Sequence, residues 1–350
     1  MEGMQTPVFA TRDGGVTAPL GFSAAAVSAG IKRAGKLDVA LLVVDHAVPA
    51  AAVYTTNSVA AAPVVVSRSH TAHGQVRAAV INSGNANACT GADGLAAARA
   101  TAAAVAEAIG CGADEVVVSS TGVIGVPLPL DKVLAGVAQA ASELSPDAGP
   151  AAAEAILTTD TFTKQCAVSL RVADHTYVVG GMAKGSGMIQ PNMATMLAFV
   201  TTDAPMTSGA CDAALRSATA RTFNRITVDS DTSTNDMCLL LASGDAGGDP
   251  IGVHDPRYDA IAAAIHHVCG GLARMIVRDG EGATKFVEVT AKARLRRPTP
   301  RRRPSRSRTL RCARPPSSAG TRTGDGWRWR SASRAPRSTP TPSTSSSQAF

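Results

Sequence analysis

The chain has 350 residues, of which 45% are hydrophobic and 3% aromatic, so small side chains do most of the packing in a core large enough for one or two domains. Seven cysteines are scattered without a Cys-x-x-Cys pair, which argues against a disulfide framework or zinc site and favours a reducing compartment. No uninterrupted apolar run reaches the ~18 residues of a membrane-spanning helix. Residues 1–11 lack the basic and then apolar pattern of a secretion signal.

The net charge of +7 combines two parts of opposite sign. Residues 291–350 contain 16 basic residues and one acid, whereas residues 1–290 carry a net charge of −8. An Arg-, Pro-, Ser- and Thr-rich segment without apolar periodicity is typical of disorder, so we predict an acidic globular body and a disordered basic tail. Such a tail can contact phosphates, and Trp327 and Trp329 within it can stack on bases.

Strands and helices are predicted along most of residues 22–290, from apolar runs, alanine-rich stretches and turn residues. The predicted strands are 37–45, 76–81, 115–120, 165–172, 176–179, 196–202, 226–229, 237–242 and 286–290. The predicted helices are 94–109, 130–144, 151–157, 208–223 and 255–277.

The stretch Gly181–Leu197 has a composition that suits no regular element, since it holds three glycines, Pro191, Lys184 and four methionines. We predict a tight loop that leads into the strand 196–202. Glycine allows a backbone to approach a ligand closely, and Lys184 adds a cation. A plain surface connection is the alternative interpretation of this composition.

The dipeptide Ala194–Thr195 lies where this loop meets the strand. A threonine hydroxyl is a weak nucleophile, but cleavage of the preceding peptide bond would give Thr195 an α-amine with a pKa of about 7.7–8.0. That amine could act as the general base for its own hydroxyl. The dipeptide alone is common and does not establish this chemistry.

Three further loops admit both a functional and a structural interpretation. The Asn-rich segment 82–88 is either a turn or a pocket lining, and the glycine turn in 120–125 is either a strand end or a set of N–H groups for an oxyanion. The acidic loop 229–236 lacks the glycine and distal glutamate of an EF-hand, so we predict no metal site. Glu281, between two glycines, is either a turn residue or a ligand.

Taken together, twelve ordered motifs between residues 22 and 290 resemble the ornithine acetyltransferase family, also called bifunctional glutamate N-acetyltransferase/amino-acid acetyltransferase, of the cyclic arginine pathway. The matching segments are Gly21-Phe22, Gly30-Ile-Lys32, Thr56-Asn57, Ala62-Pro-Val64, Asn82–Asn87, Ser120–Gly125, Thr158–Thr161, Ala183–Met188, Pro191–Met196, Arg221–Asn224, Asp231–Asp236 and Asp279–Lys285.

The resemblance implies an α/β fold of stacked β-sheets flanked by helices, a layered sandwich like that of N-terminal-nucleophile enzymes. It also implies a cytoplasmic enzyme that cuts itself between Ala194 and Thr195, giving an α chain of residues 1–194 and a β chain that begins at Thr195. Two α and two β chains would form a heterotetramer. There is no membrane and no nucleic-acid partner in this interpretation.

The implied reaction moves the acetyl group of N2-acetyl-L-ornithine to L-glutamate through an acetyl-Thr195 intermediate. No cofactor stays bound, and some members use acetyl-CoA as a co-substrate. Thr121 and Gly122 match the family's oxyanion hole. The positions that match its substrate-binding residues are Thr158, Lys184, Thr195 and Glu281.

The chain departs from the family after residue 290, where the family has more strands and helices and an Asp-Pro-Asn-Trp-Gly-Arg motif. Gly320–Gly326 can be encoded by GGG ACC CGA ACT GGG GAC GGG, and this string read from its third base encodes that motif. We therefore predict a frameshift between residues 290 and 309. On this hypothesis 195–290 is a shortened β chain and 291–350 an aberrant tail.

Two alternative functions stay open on the sequence. One is a self-processing N-terminal-nucleophile aminopeptidase or hydrolase, which would release its acyl group to water. The other is an inactive, truncated homologue whose basic tail binds nucleic acid.

Overall fold

The computed structural model of the protein describes residues 7–33, 35–190 and 196–290. The predicted cleavage site and basic tail therefore lie outside the described residues. The strands within these ranges are β1 Ala10–Arg12, β2 Phe22–Val27, β3 Val39–Tyr54, β4 Gln75–Asn85, β5 Val116–Val123, β6 Lys164–Val172, β7 His175–Lys184, β8 Leu197–Thr202 and β9 Met237–Ala242. The α-helices are α1 Ala62–His70, α2 Gly91–Ile109, α3 Leu130–Ser142, α4 Gly149–Ala155, α5 Ser208–Arg221 and α6 Tyr258–Arg278.

The long strand β3 joins two halves of the sheet. Its first part pairs antiparallel with β2 and β4, and Ala50–Tyr54 pairs antiparallel with β9. The register of β3 against β4 shifts between Val43 and Val48, which lets β3 pass from one half to the other. The order along the sheet is β1-β6-β7-β8-β9-β3-β4-β5, with β2 also on β3.

The apolar side chains form three successive layers of core. One cluster lies between the β6–β9 half and helices α5 and α6, and another between the β2–β5 half and helices α2 and α3. The central cluster contains Leu42 and Ile81 from one half and Phe199 and Leu239 from the other. The two halves therefore stack face to face, which confirms the predicted α/β fold of sheets flanked by helices.

Helix α6 is apolar enough, by length and composition, to cross a membrane, with a mean hydropathy of 1.5 in its most apolar window. Its apolar face packs against β6 and β7, however, where Ile265, Val268 and Leu272 are fully buried. That packing is the behaviour of a core helix in a globular protein.

Two predicted strands are wrong. In 226–229, Val228 N–H and the Thr227 hydroxyl both donate to the carbonyl of Ile189, so the segment bonds to the chain after β7 instead of to a strand. Residues 286–290 have no strand partner among the described residues, and Phe286 and Val289 lie exposed on the surface.

The expectation that Gly181–Lys184 belongs to a loop is also wrong, because β7 continues to Lys184 and pairs with β6 and β8. The glycines serve close packing here. A Cβ on Gly180 would lie 2.0 Å from the carbonyl oxygen of Gly15, and one on Gly181 would lie 3.0 Å from Val268 of α6. Neighbouring elements thus approach the backbone of β7 at the point where side chains would keep them apart.

We expect Gly180→Ala to lower the free energy of unfolding by at least about 2 kcal/mol, because the new methyl group meets a backbone oxygen that cannot rotate away. Gly209→Ala in α5 is the matched control, since nothing lies within 4 Å of its Cβ position. Alanine is the better helix former by about 1 kcal/mol, so this control should hold or raise stability. Urea midpoints from circular dichroism test both, and equal midpoints would contradict the prediction.

Candidate active site

Lys184, the last residue of β7, brings three of the predicted site residues together. Its Nζ donates to the Oγ1 of Thr158 at 2.8 Å and to the Oγ1 of Thr121 at 3.3 Å. Thr121 lies on β5 and Thr158 follows α4, so the cluster collects residues from both halves of the sheet. The sequence separates Thr121 and Lys184 by 63 positions, and the strand stacking closes that distance.

Asp160 is the carboxylate that faces this lysine. Its Oδ2 lies 3.8 Å from Lys184 Nζ, and its Oδ1 accepts a hydrogen bond of 2.6 Å from the N–H of Gly185. Burial favours a raised pKa for Asp160, but the charges of Lys184 and Lys164 outweigh it and leave the pKa below its ordinary value. Asp160 is therefore an anion that anchors the end of β7.

The electrostatic setting of Lys184 lowers its basicity. Only 11% of the side chain is exposed. Burial lowers the pKa of Lys184, the charge of Asp160 opposes that shift, and the charge of Lys164 adds to it. An ammonium group with an incompletely compensated charge in a pocket is suited to bind a carboxylate.

Lys164 is a site residue that the sequence analysis did not identify. It is fully buried on β6, and its Nζ contacts Asp160 at 2.7 Å and Asp279 at 2.5 Å. Asp279 also accepts hydrogen bonds from the backbone N–H and the hydroxyl of Thr161. A lysine at the start of an apolar strand, four residues after an aspartate, was the available signal, since lysine is almost never fully buried unless it is paired.

Glu281 reaches the same region through the segment after α6. Its N–H donates to the carbonyl of Ser186 at 2.8 Å, and the Ser186 hydroxyl donates to the carbonyl of Asp279. The Glu281 carboxylate lies against Gly187, where a Cβ would be 2.7 Å from its Cδ and Oε1. Burial lowers the pKa of Lys184, and the charge of Glu281 opposes that shift.

Gly122 occupies a position that only glycine fits. Its φ is +136°, and a Cβ would lie 2.3 Å from the carbonyl carbon of Gly84 on β4. Gly84 and Gly122 are register partners in the parallel β4–β5 pair. The backbones of β4 and β5 therefore approach each other closely next to Thr121, with no side chain between them. The oxyanion role of Thr121 and Gly122 stays a prediction.

The asparagines of 82–88 fix the backbone instead of lining a pocket. The buried Asn82 side chain donates to the carbonyl of Asn85 and accepts from the hydroxyl of Ser120. Asn85 donates to the carbonyls of Val126 and Pro127. Of the two open interpretations, the structural one is therefore confirmed for these side chains.

The acidic loop after residue 228 likewise forms hydrogen bonds to backbone groups. The Asp229 carboxylate accepts hydrogen bonds from the N–H groups of Met188 and Ile189. It thereby fixes the segment that follows Lys184.

The predicted nucleophile Thr195 and its neighbour Ala194 lie outside the described residues. Of the chain that follows, Met196 is buried and its carbonyl accepts from Met237 N–H at 3.0 Å. Leu197 is the register partner of Lys184 in the β7–β8 pair. The chain thus enters β8 directly beside the lysine of the cluster.

A cavity of about 840 Å³ opens on this cluster. Its lining includes Thr158 and Asp160 of the cluster, and Gly84 from the β4–β5 pair. Pockets of a few hundred Å³ with a small number of converging polar groups are typical of small-molecule sites. The cavity therefore offers hydroxyl donors, a cation and an anion to a small polar substrate.

The chain is similar to known proteins. The family model described as the ArgJ family matches residues 23–298. An "arginine biosynthesis bifunctional protein ArgJ" of Symbiobacterium thermophilum is 57% identical over 281 residues, which are 80% of this chain and 70% of that protein.

Two solved structures are also similar. The arginine biosynthesis bifunctional protein argJ of Bacillus halodurans is 41% identical with a TM-score of 0.51, and the match covers 54% of this chain and 99% of that one. The ornithine acetyltransferase of Mycobacterium tuberculosis, complexed with ornithine, is 47% identical with a TM-score of 0.49, over 53% of this chain and 99% of that one. Because the family model spans well over half of the sequence, the chain belongs to the ArgJ family.

Proposed function

We propose that this enzyme of arginine biosynthesis transfers the acetyl group of N2-acetyl-L-ornithine to L-glutamate, after cutting its own chain between Ala194 and Thr195. The observation that carries the proposal is the cluster of Lys184, Thr121 and Thr158 beside the start of β8. The family match supports it, since relatives are named as bifunctional proteins of arginine biosynthesis.

The reaction proceeds in two balanced steps. The Thr195 hydroxyl oxygen attacks the acetyl carbon, its proton passes to the Thr195 α-amine, and the bond from carbon to the ornithine nitrogen breaks as that proton moves to the leaving amine. The acetyl group is then an ester of Thr195. The α-amine of glutamate attacks the ester carbon, the bond from that carbon to the Thr195 oxygen breaks, and a proton from the glutamate nitrogen passes through the Thr195 α-amine to that oxygen. N-acetylglutamate leaves and the hydroxyl is restored.

The cluster residues take roles that follow from their chemistry. The Gly122 N–H and the Thr121 hydroxyl stabilise the negative oxygen that develops in each tetrahedral intermediate. Lys184 binds the α-carboxylate that both amino acids carry, and Thr158 orients the lysine through their 2.8 Å hydrogen bond. Glu281 binds the side-chain ammonium of ornithine.

The proposal also covers the cofactors, cellular compartment and subunit assembly of the enzyme. No cofactor is needed for acetyl transfer between two amines, and acetyl-CoA is a second acetyl donor, consistent with the word bifunctional in the relatives' names. We place the enzyme in the cytoplasm, as two α and two β chains. The six described cysteines are free, which agrees with a reducing compartment.

Intact-mass spectrometry under denaturing conditions, on protein from its native host, is the primary test. We expect two chains that separate between residues 194 and 195. Thr195→Ala should leave one uncut chain without transfer activity, because no nucleophile remains. Thr176→Ala, an exposed threonine of β7, is the matched control and should be cut normally.

A single uncut wild-type chain would overturn self-processing. The same spectrum measures the chain that begins at Thr195. A mass equal to residues 195–350 of the printed sequence would refute the frameshift hypothesis for the native gene product.

The fate of the acetyl group separates transfer from hydrolysis. With N-acetylornithine labelled in its acetyl group, we expect the label in N-acetylglutamate when glutamate is present, and little free acetate. The reason is that the pocket holds the acceptor by its carboxylate, whereas water has no such group. Label released mainly as acetate at saturating glutamate would favour the aminopeptidase or hydrolase alternative.

Replacement of Lys164 should alter the pH profile as well as stability. Lys164→Met leaves Asp160 and Asp279 buried around an apolar side chain, which we expect to cost about 3–5 kcal/mol. Because the charge of Lys164 lowers the pKa of Lys184, its loss raises that pKa. The alkaline limb of kcat/KM, which reports loss of the Lys184 proton, should therefore move to higher pH.

Lys164→Arg keeps the positive charge, so the alkaline limb of kcat/KM should stay at its wild-type pH. This variant keeps the test informative even if Lys164→Met folds poorly. Arg99→Met, on the exposed face of α2, removes a distant cation. It should change neither the free energy of unfolding nor the pH of the alkaline limb. A lower unfolding midpoint with an unchanged limb in the Met variant would mean that Lys164 does not act on Lys184.

A further inference from the structure

Lys32 lines the cavity and has no part in the reaction as proposed so far. It lies in the loop between β2 and β3. The N–H groups of Ala29, Ile31 and Lys32 donate to the Asp38 carboxylate at 2.6, 2.6 and 2.9 Å. Three charge-assisted hydrogen bonds to one buried carboxylate fix the shape of this loop.

The ammonium group of Lys32 is oriented without being neutralised. Its Nζ donates to the carbonyls of Leu37 at 2.9 Å and Ala155 at 3.1 Å. No carboxylate of the described residues lies within 4.0 Å of this nitrogen, since Lys32 forms none of the ion pairs found there. The third N–H of the ammonium thus stays available to an anion in the cavity.

The loop also lies close to the proposed oxyanion region. A Cβ on Gly84 would meet the Cγ of Lys32 at 3.1 Å, and Gly84 is the register partner of Gly122. Lys32 therefore lies beside the β4–β5 junction.

Lys32 in the cavity and Lys184 beside it influence each other. Burial lowers the pKa of Lys32 to about 8, the charge of Asp38 opposes this, and the charge of Lys184 adds to it. Lys32 lines the cavity and Lys184 donates to Thr158, which also lines it, so a ligand with two negative groups would satisfy both cations. Arg33 and Lys36, which line the same cavity and are exposed, add positive potential at its mouth.

The two amino acids of the proposed reaction differ in this respect. Both carry an α-carboxylate, but the ornithine side chain ends in an ammonium group and the glutamate side chain in a carboxylate. We infer that Lys32 forms the subsite for the side-chain carboxylate of the acceptor glutamate, an inference that rests on the proposed function. Lys184 then binds the group that both substrates share, and Lys32 binds the group found only in the acceptor.

Isotope exchange tests this subsite, because each half-reaction can run alone. Labelled ornithine enters N-acetylornithine without glutamate, and labelled glutamate enters N-acetylglutamate without ornithine. For Lys32→Met we expect the apparent KM for glutamate to rise at least about tenfold, the effect of losing a charge-assisted hydrogen bond. Ornithine exchange should fall by less than about threefold, and Lys32→Arg should recover most glutamate exchange.

Lys132→Met is the matched control. Its Nζ donates to the carbonyl of Gly30 in the same loop at 2.8 Å, but the side chain is exposed and does not line the cavity. Equal losses of both exchanges in Lys32→Met, or no loss in either, would overturn the subsite. A wild-type enzyme that catalyses neither exchange would instead overturn the proposed function, so the two failures can be told apart.

Discussion

The buried ammonium of Lys164 is the group on which the rest of the site depends. It lies between Asp160 and Asp279 with no exposed surface. Removal of one partner from a buried ion pair strongly destabilises the folded protein, because it leaves a buried charge without compensation. The lysine therefore fixes the positions of both carboxylates. Asp160 in turn anchors the end of β7 through Gly185, and Asp279 anchors the turn at Thr161.

This network connects parts of the chain on both sides of the predicted cut. Lys164 and Asp160 precede residue 194, whereas Asp279 and Glu281 follow it. If the chain is cut there, the Lys164–Asp279 pair, together with the β7–β8 pairing, holds the two products in register. Cleavage can then create a new α-amine at Thr195 without displacing the residues that bind substrate.

The sequence predicted the elements whose signals are local. Residues 237–242 form β9 as expected, and the alanine-rich helix at 94–109 begins only three residues earlier, in α2. It misjudged Gly181–Lys184, because glycines that let α6 approach a strand look the same in a sequence as glycines of a loop. The sequence analysis did not identify Lys164 as a site residue because its second partner, Asp279, is 115 residues away, and a pairing over that distance leaves no local pattern.

A ping-pong enzyme of this kind must bind two amino acids with side chains of opposite charge in one pocket. A single charged group would favour one substrate at the expense of the other. In the proposed arrangement the tasks are separate, with Lys184 at the shared α-carboxylate, Glu281 toward the ammonium and Lys32 toward the carboxylate. Because Lys32 belongs to the loop fixed by Asp38 and Glu281 to the segment fixed by Ser186, each group keeps its place when the other substrate is bound.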